Sequence, residues 1–253
     1  MYNKDIEIIT KLAQRKYDNA DKYPVKYIMR AVVTGFYVIV AIILSYTTAG
    51  ILNPKYPEVA RVIVAATFSL ALALIVFLNG ELFTGNNLIM SSGIYAGKTT
   101  FKMAFKVWVY SYIGNLIGSI IISYIFIKSG ASFNIIRDYI EPIINAKLSL
   151  TISELILRGM LCNFIVCLGF LATIKIYSDS GKLIMMFWCV FAFAIAGFEH
   201  SIANMGIFSV GFFALHNISL LEVVRNIIWV SVGNLIGGGV LLAFPTVFIS
   251  VEE

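Results

Sequence analysis

Gly114-Asn115-Leu116-Ile117-Gly118 returns unchanged as Gly233-Asn234-Leu235-Ile236-Gly237 in the second half of a 253-residue chain. Chance could produce a five-residue identity between two segments rich in Leu, Ile and Gly, but other marks travel with it. Glu81 and Asn86 stand five apart, as do Glu199 and Asn204. The step from each glutamate to the asparagine of the repeated block is 34 residues in one half and 35 in the other. Arg30 with Gly35-Phe36 is echoed by Arg158 with Asn163-Phe164. The chain reads as two copies of one plan.

The sequence around these blocks belongs to a membrane protein. Hydrophobic residues make up 59% and charged residues 13%, with a mean hydropathy of +0.87, which excludes a water-soluble enzyme, a nucleic-acid module and a disordered chain. Six apolar segments, at about 27–48, 62–80, 105–127, 155–176, 183–198 and 223–251, each approach the roughly 20 residues a helix needs to cross. Three spans per copy is an odd number, so the second copy must sit upside down. The expected fold is all-α integral membrane, with six transmembrane helices in two inverted three-helix repeats at about 27–128 and 153–251. Together they form one channel domain over residues 27–253.

Residues 1–26 form a separate, polar N-terminal segment. Ile6, Ile9, Leu12 and Ala13 fall on one helical face while Lys4, Lys11, Arg15 and Lys16 lie elsewhere. This predicts an amphipathic helix lying along the membrane, which could act as an anchor or cover the pore mouth. Of the 19 Lys and Arg, twelve fall on the side of the N-terminus and seven on the other. Both termini are therefore expected to be cytoplasmic, in a multi-pass inner (plasma) membrane protein.

Two segments do not end cleanly. The second runs on through Glu81-Leu82-Phe83-Thr84-Gly85-Asn86-Asn87, and the fifth through Glu199-His200-Ser201-Ile202-Ala203-Asn204. Each is a helix broken by a polar cluster, and the backbone groups freed there cannot face lipid. Glu81, Asn86, Glu199, Asn204, Asn115 and Asn234 are suited to tying them and are read as scaffold. His200 breaks the symmetry, since Leu82 is its counterpart, and it is read as lining the path. The run Glu199-His200-Ser201 cannot form a triad, because neighbours on a helix do not face one another. There is no zinc motif and no phosphate loop, and Cys162, Cys167 and Cys189 sit unpaired in apolar runs. No enzyme activity, cofactor, metal or nucleic-acid partner is expected.

Glu-Leu-Phe-Thr-Gly-Asn at 81–86, Gly-Phe-Glu-His-Ser-Ile-Ala-Asn-Met at 197–205, the two Gly-Asn-Leu-Ile-Gly blocks and Arg-Gly-x-Leu-Cys-Asn at 158–163 resemble the formate/nitrite transporter family across all six spans. The resemblance implies an aquaporin-like protomer with its own pore and broken second and fifth helices, assembled as a homopentamer in the lipid bilayer. Such a protein passes small monovalent anions. It further implies that His200 is the central pore histidine, that Thr84 faces it, and that Leu82 and Phe193 form the hydrophobic constriction. Asn163 is then a polar pore residue and Lys147 the vestibule lysine. Phe193 lies seven residues before His200, two turns along one helical face.

Formate channels of the family typically read Asp-Leu-Phe-Thr-Ser at the first break. Glu-Leu-Phe-Thr-Gly here looks more like the nitrite and hydrosulfide branches, and the second break looks closest to the hydrosulfide channel. The order of preference is hydrosulfide, then formate, then nitrite. A proton-anion symporter could use the same residues. An aquaporin-like neutral-solute channel would share the repeat, but its Asn-Pro-Ala pair is not at the breaks, where the only Asn-Pro, Asn53-Pro54, does not fall. A scaffold without transport would leave the polar clusters at midplane depth unexplained.

Overall fold

Several helices start where the sequence supplies a start signal. In the computed structural model, which describes residues 2–215 and 217–250, the chain forms α1 (Tyr2–Lys22), α2 (Pro24–Leu52), α3 (Pro57–Thr67), α4 (Leu70–Phe77), α5 (Phe83–Tyr95), α6 (Phe101–Lys128), α7 (Phe133–Leu148), α8 (Ile152–Lys175), α9 (Asp179–Ile195), α10 (Ser201–Ala214), α11 (Leu220–Leu235), a π-helical stretch Ile236–Ala243, and α12 (Phe244–Phe248). Val251, the expected end of the sixth segment, lies outside the described residues. Pro24 and Pro57 open α2 and α3, where a missing N–H costs nothing. Thr151 and Glu154 cap α8 reciprocally: the Glu154 N–H donates to Thr151 Oγ1 at 3.4 Å and the Thr151 N–H to Glu154 Oε2 at 2.9 Å. Ser178 and Ser219 cap α9 and α11 with their hydroxyls.

Among the described residues five helical runs are long and apolar enough to cross a membrane: Pro24–Leu52, Pro57–Phe77, Phe101–Lys128, Ile152–Lys175 and Leu220–Phe248. The protein is all-α and multi-span. The fifth segment is realised as α9 of 17 residues and, across its break, α10 of 14, and the chain departs from the expected segments in two places. The second segment is divided at Phe68-Ser69 into α3 and α4, and the sixth passes into the π-helix at Ile236. The charged segment before α8 forms α7, whose Ile136, Ile140 and Ile144 are buried at helical spacing.

The repeated glycines set the tightest helix contacts, α2 with α6 and α8 with α11 and the π-helical stretch that continues it. A methyl group on Gly118 would run into the Val32 carbonyl, and one on Gly237 into the Met160 carbonyl. Gly114 abuts Ala31, and Gly233 abuts the Ile156 carbonyl. Two glycines one turn apart thus let two backbones touch, which is how helices associate where burial from water gives no driving force.

The N-terminal helix is seated on the bundle by its apolar stripe. It packs against α5, α6 and α2, with Ile9, Ala13 and Ala20 fully buried. Lys16, assigned from sequence to the polar side, lies on this buried stripe. Its ammonium reaches Glu81 Oε2 at 2.5 Å, 65 residues away in sequence, and Lys106 holds Asp21 at 2.7 Å near the far end of the helix.

Candidate functional site

Both interrupted helices stop in the same way. After α4, Asn79 adopts a left-handed backbone (φ 53°), and after α9 Gly197 does so (φ 73°). The Gly80 N–H returns to the Ile75 carbonyl at 2.7 Å and the Phe198 N–H to the Phe193 carbonyl at 3.1 Å. These are Schellman closures, which satisfy the last carbonyls of a helix by turning the chain sharply. Leu82 and His200 then run extended into α5 and α10.

Asn115 and Asn234 hold the extended residues. The Phe83 N–H donates to Asn115 Oδ1 at 3.0 Å, while Asn115 Nδ2 donates to the carbonyls of Ala31 and Glu81, both at 2.9 Å. In the other half the Ser201 N–H donates to Asn234 Oδ1 at 2.9 Å, and Asn234 Nδ2 donates to Gly159 at 2.8 Å and Glu199 at 3.0 Å. In the block Gly-Asn-Leu-Ile-Gly, the glycines bring the helices together and the asparagine stitches the break.

The two glutamates do something other than tie backbone. Glu81 accepts from Lys16 and from the Tyr27 hydroxyl at 2.8 Å, with Asn86 Nδ2 donating to that hydroxyl at 3.1 Å. Glu199 takes the Lys147 ammonium on both oxygens at 2.9 Å, and Asn204 Nδ2 donates to its Oε2 at 2.6 Å. Each break therefore carries one buried ion pair steadied by an asparagine. Such pairs cost several kcal/mol per ion in desolvation and persist only when well hydrogen-bonded. Lys147 contributes far less open positive charge than its residue type suggests.

His200 joins the two halves. Its Nδ1 accepts from the Ala203 N–H at 3.1 Å and so caps α10, and its Nε2 lies 3.0 Å from Thr84 Oγ1. With Nδ1 used as an acceptor, the hydrogen-bond network assigns the neutral tautomer with the proton on Nε2, which donates to Thr84. Phe193 stacks on the imidazole, centroids 6.0 Å apart and planes 19° apart. The expected helical alignment does not produce this contact, because α9 ends at Ile195; the Schellman turn folds His200 back over the ring.

On the Lys147 side of Phe193 opens a cavity of about 300 Å³, lined by Arg61, Tyr46, Tyr139, Lys147, Glu199 and His200 among others. On the other side a void of about 20 Å³, roughly one water's worth, lies between Phe193, His200, Leu82, Leu72 and Phe68. The structure thus places Lys147, Phe193 and His200 on the larger cavity and Phe193, His200 and Leu82 on the smaller one, with Thr84 joined to them through His200. Asn163 stands apart from both. Fully buried, its Nδ2 donates to the carbonyls of Asn234 at 2.6 Å and Thr84 at 3.2 Å, bracing the α5 start rather than facing either cavity. Arg61, Phe68, Tyr46 and Tyr139 escaped the sequence reading, since nothing in their spacing marks them. Among the described residues no cluster of His, Cys, Asp or Glu could hold a metal ion.

These features define a multi-pass integral membrane protein whose paired helix breaks face one another across a narrow apolar junction. The profile of the formate/nitrite transporter family matches residues 6–248, and the chain belongs to that family, a family of transporters and not of enzymes. It is 30% identical to the nitrite transporter NirC of Escherichia coli over 222 residues, 87% of this chain and 81% of that one. Among solved structures it resembles an FNT family ion channel (27% identity, TM-score 0.91, 98% of this chain and 99% of the other). It also resembles a pentameric formate channel with formate bound (27% identity, TM-score 0.76, 92% and 100%).

Proposed function

We propose that the chain is a channel for small monovalent anions of weak acids, with hydrosulfide ranked first, then formate and nitrite, and that the path runs from the Arg61 and Lys147 cavity past Phe193, His200 and Leu82. The observation that carries this reading is the junction itself. An apolar constriction of Phe193 and Leu82 meets a single polar pair, His200 and Thr84. A bare anion finds no compensating charge in such a constriction and is excluded at high cost. A weak-acid anion has another route: leaving water raises its proton affinity, and the neutral acid can cross with the His200 and Thr84 hydrogen-bonding groups beside it. His200, its Nδ1 occupied by the α10 cap, serves here as a hydrogen-bond donor rather than as the proton's source.

The kinship with NirC and with a pentameric formate channel supports this class of substrate and a pentamer of six-crossing protomers, in which α9 with its break supplies the remaining span. The matched breaks support the two inverted repeats, about 27–128 and 153–251, beside the N-terminal segment 1–26. The excess of Lys and Arg supports cytoplasmic termini. Leu82, Phe193, His200 and Thr84 form the constriction in this reading, Lys147 stands in the vestibule, and Asn163, Glu81, Asn86, Glu199, Asn204, Asn115 and Asn234 hold the breaks. The test is flux of hydrosulfide, formate, nitrite and chloride into proteoliposomes. Chloride, which has no accessible neutral acid, should lag the others by at least tenfold; equal passage would refute the reading.

A further inference from the structure

The geometry points to Arg61, with the hydroxyls of Tyr46 and Tyr139, as the capture subsite of the cavity, selective for planar oxyanions with two oxygens. This rests on the proposed path. The cavity is lined by two cations and one acid: Arg61, Lys147 and Glu199. Lys147 is committed to Glu199, bonded to both carboxylate oxygens at 2.9 Å, so that pair is neutral as a unit. Arg61, exposed on α3, forms no ion pair among the described residues, neither with Glu199 nor with Glu58 one turn before it. The net positive charge of the cavity is therefore Arg61's. Tyr46 and Tyr139 stand edge to face in the wall of the same cavity, ring centroids 5.5 Å apart. Both are nearly buried, both line the cavity, and among the described residues neither hydroxyl has a hydrogen-bond partner. Two idle donors next to an unpaired guanidinium form a ready receptor for an anion.

The chemistry of that receptor selects. A guanidinium presents parallel N–H groups that fit two oxygens on one central atom, as in formate and nitrite. Hydrosulfide has a single acceptor atom and cannot use the fork. A charged cleft with apolar walls also concentrates counter-ions, by about tenfold or more, in a manner that salt suppresses. Arg61 thus adds attraction for every monovalent anion and, at the capture step only, a further preference for the two planar ones, upstream of the junction whose own ranking puts hydrosulfide first.

The experiment measures half-saturating concentrations of formate, nitrite and hydrosulfide in proteoliposomes carrying wild type, Arg61→Gln or Arg61→Lys, at low and high ionic strength. Arg61→Gln should raise the value for formate and nitrite about three- to tenfold at low salt, raise that for hydrosulfide less, and converge with wild type at high salt. Arg61→Lys should restore hydrosulfide fully but formate only in part. Wild type itself, needing no substitution, should show its half-saturating formate concentration rising with salt. If wild type conducts and Arg61→Gln leaves formate within 1.5-fold or so at low salt, the subsite is overturned while the channel reading stands. If wild type passes none of the three above protein-free liposomes, the channel reading falls and takes the subsite with it.

Discussion

Replacing Asn115 by alanine removes three hydrogen bonds at once, of 2.9, 2.9 and 3.0 Å, from a side chain with no exposed surface. At about 1 kcal/mol net per bond the loss is about 3 kcal/mol. Interhelical bonds measured within membranes average nearer 0.6 kcal/mol, which lowers the sum to about 2. The Phe83 N–H left without an acceptor adds about 1–3 kcal/mol, so we expect a destabilisation of about 3–6 kcal/mol. Asn234→Ala should match it within about 1 kcal/mol, because its three bonds of 2.8, 2.9 and 3.0 Å repeat the arrangement. The assay is denaturant titration of the purified, detergent-solubilised protein, followed by the fluorescence of Trp108, which donates from Nε1 to the Asn86 carbonyl beside the first break. Asn115→Asp gives the sharper control. It keeps the acceptor for Phe83 but turns both donors into a carboxylate oxygen facing two carbonyls, so it should be at least as damaging as alanine. Losses below about 0.5 kcal/mol in both alanine variants, or an aspartate milder than alanine, would refute the view that these asparagines stitch the breaks.

Leu82→Val and Phe193→Ile should raise the flux of anions larger than formate at a stability cost below about 1.5 kcal/mol for the valine, since trimming beside an existing void opens little new cavity; unchanged flux in both would mean that these side chains do not set the width. His200→Asn should assemble normally, because asparagine caps helices well, and should lower weak-acid flux in liposomes severalfold through loss of the imidazole donor at the constriction; rates equal to wild type would refute the donor role. Lys16→Gln strands the buried Glu81 carboxylate and should cost about 3–5 kcal/mol, seen as faster proteolysis between α1 and α2, whereas Lys16→Gln with Glu81→Gln should recover much of the loss; equal damage in single and double variants would refute the ion pair as the clamp. The Lys106 ammonium, hydrogen-bonded to Asp21, holds that carboxyl below its ordinary 3.8. A lowered carboxyl supports the fold above its unfolded pKa and loses that support as pH falls through the folded one. This tether should therefore be constant from pH 8 to 5 and fail only below about pH 4, and protease release of α1 that begins near pH 6 would trace to another group.

The spans and the two breaks could be read from the chain because they rest on patterns that lipid enforces: long apolar runs, interrupted by polar residues that have to find partners. The matched spacing of glutamate and asparagine exposed the scaffold even before the bonds were known, yet it did not divide the labour. Asparagine can meet a carbonyl and an N–H together and so ties backbone, whereas the acceptor-only glutamate required a cation. Those cations come from elements far away in sequence, Lys16 on α1 and Lys147 on α7, and no local pattern announces them. Lys16 was in fact visible as a member of the stripe Ile9, Ala13, Lys16, Ala20, but a lysine is ordinarily assigned to the wet face. Asn163 carries the same ambiguity: a polar residue in an apolar helix marks a need for partners without saying whether these are solute or carbonyl. The Phe193 contact with His200 depends on a left-handed residue at Gly197, which periodicity along a straight helix cannot represent.

The two halves agree wherever the backbone must be held and differ where the solute would pass. Asn115 answers Asn234, Glu81 answers Glu199, and the left-handed turn at Asn79 answers that at Gly197. At the junction the matching positions are instead Leu82 with His200 and Thr84 with Ile202. A strictly symmetric chain would make the two pairs across the junction identical, and its extremes are two apolar pairs and two histidine–threonine pairs. Two apolar pairs would offer a crossing acid no hydrogen bond. Two polar pairs would set a second imidazole within a space of about 20 Å³ and hydrate a junction whose selectivity requires it dry. One polar pair opposite one apolar pair is the arrangement that hydrogen-bonds a small neutral acid and still denies its anion a path. The asymmetry of four residues, on a scaffold otherwise repeated, is therefore where the channel chemistry of the proposed function resides.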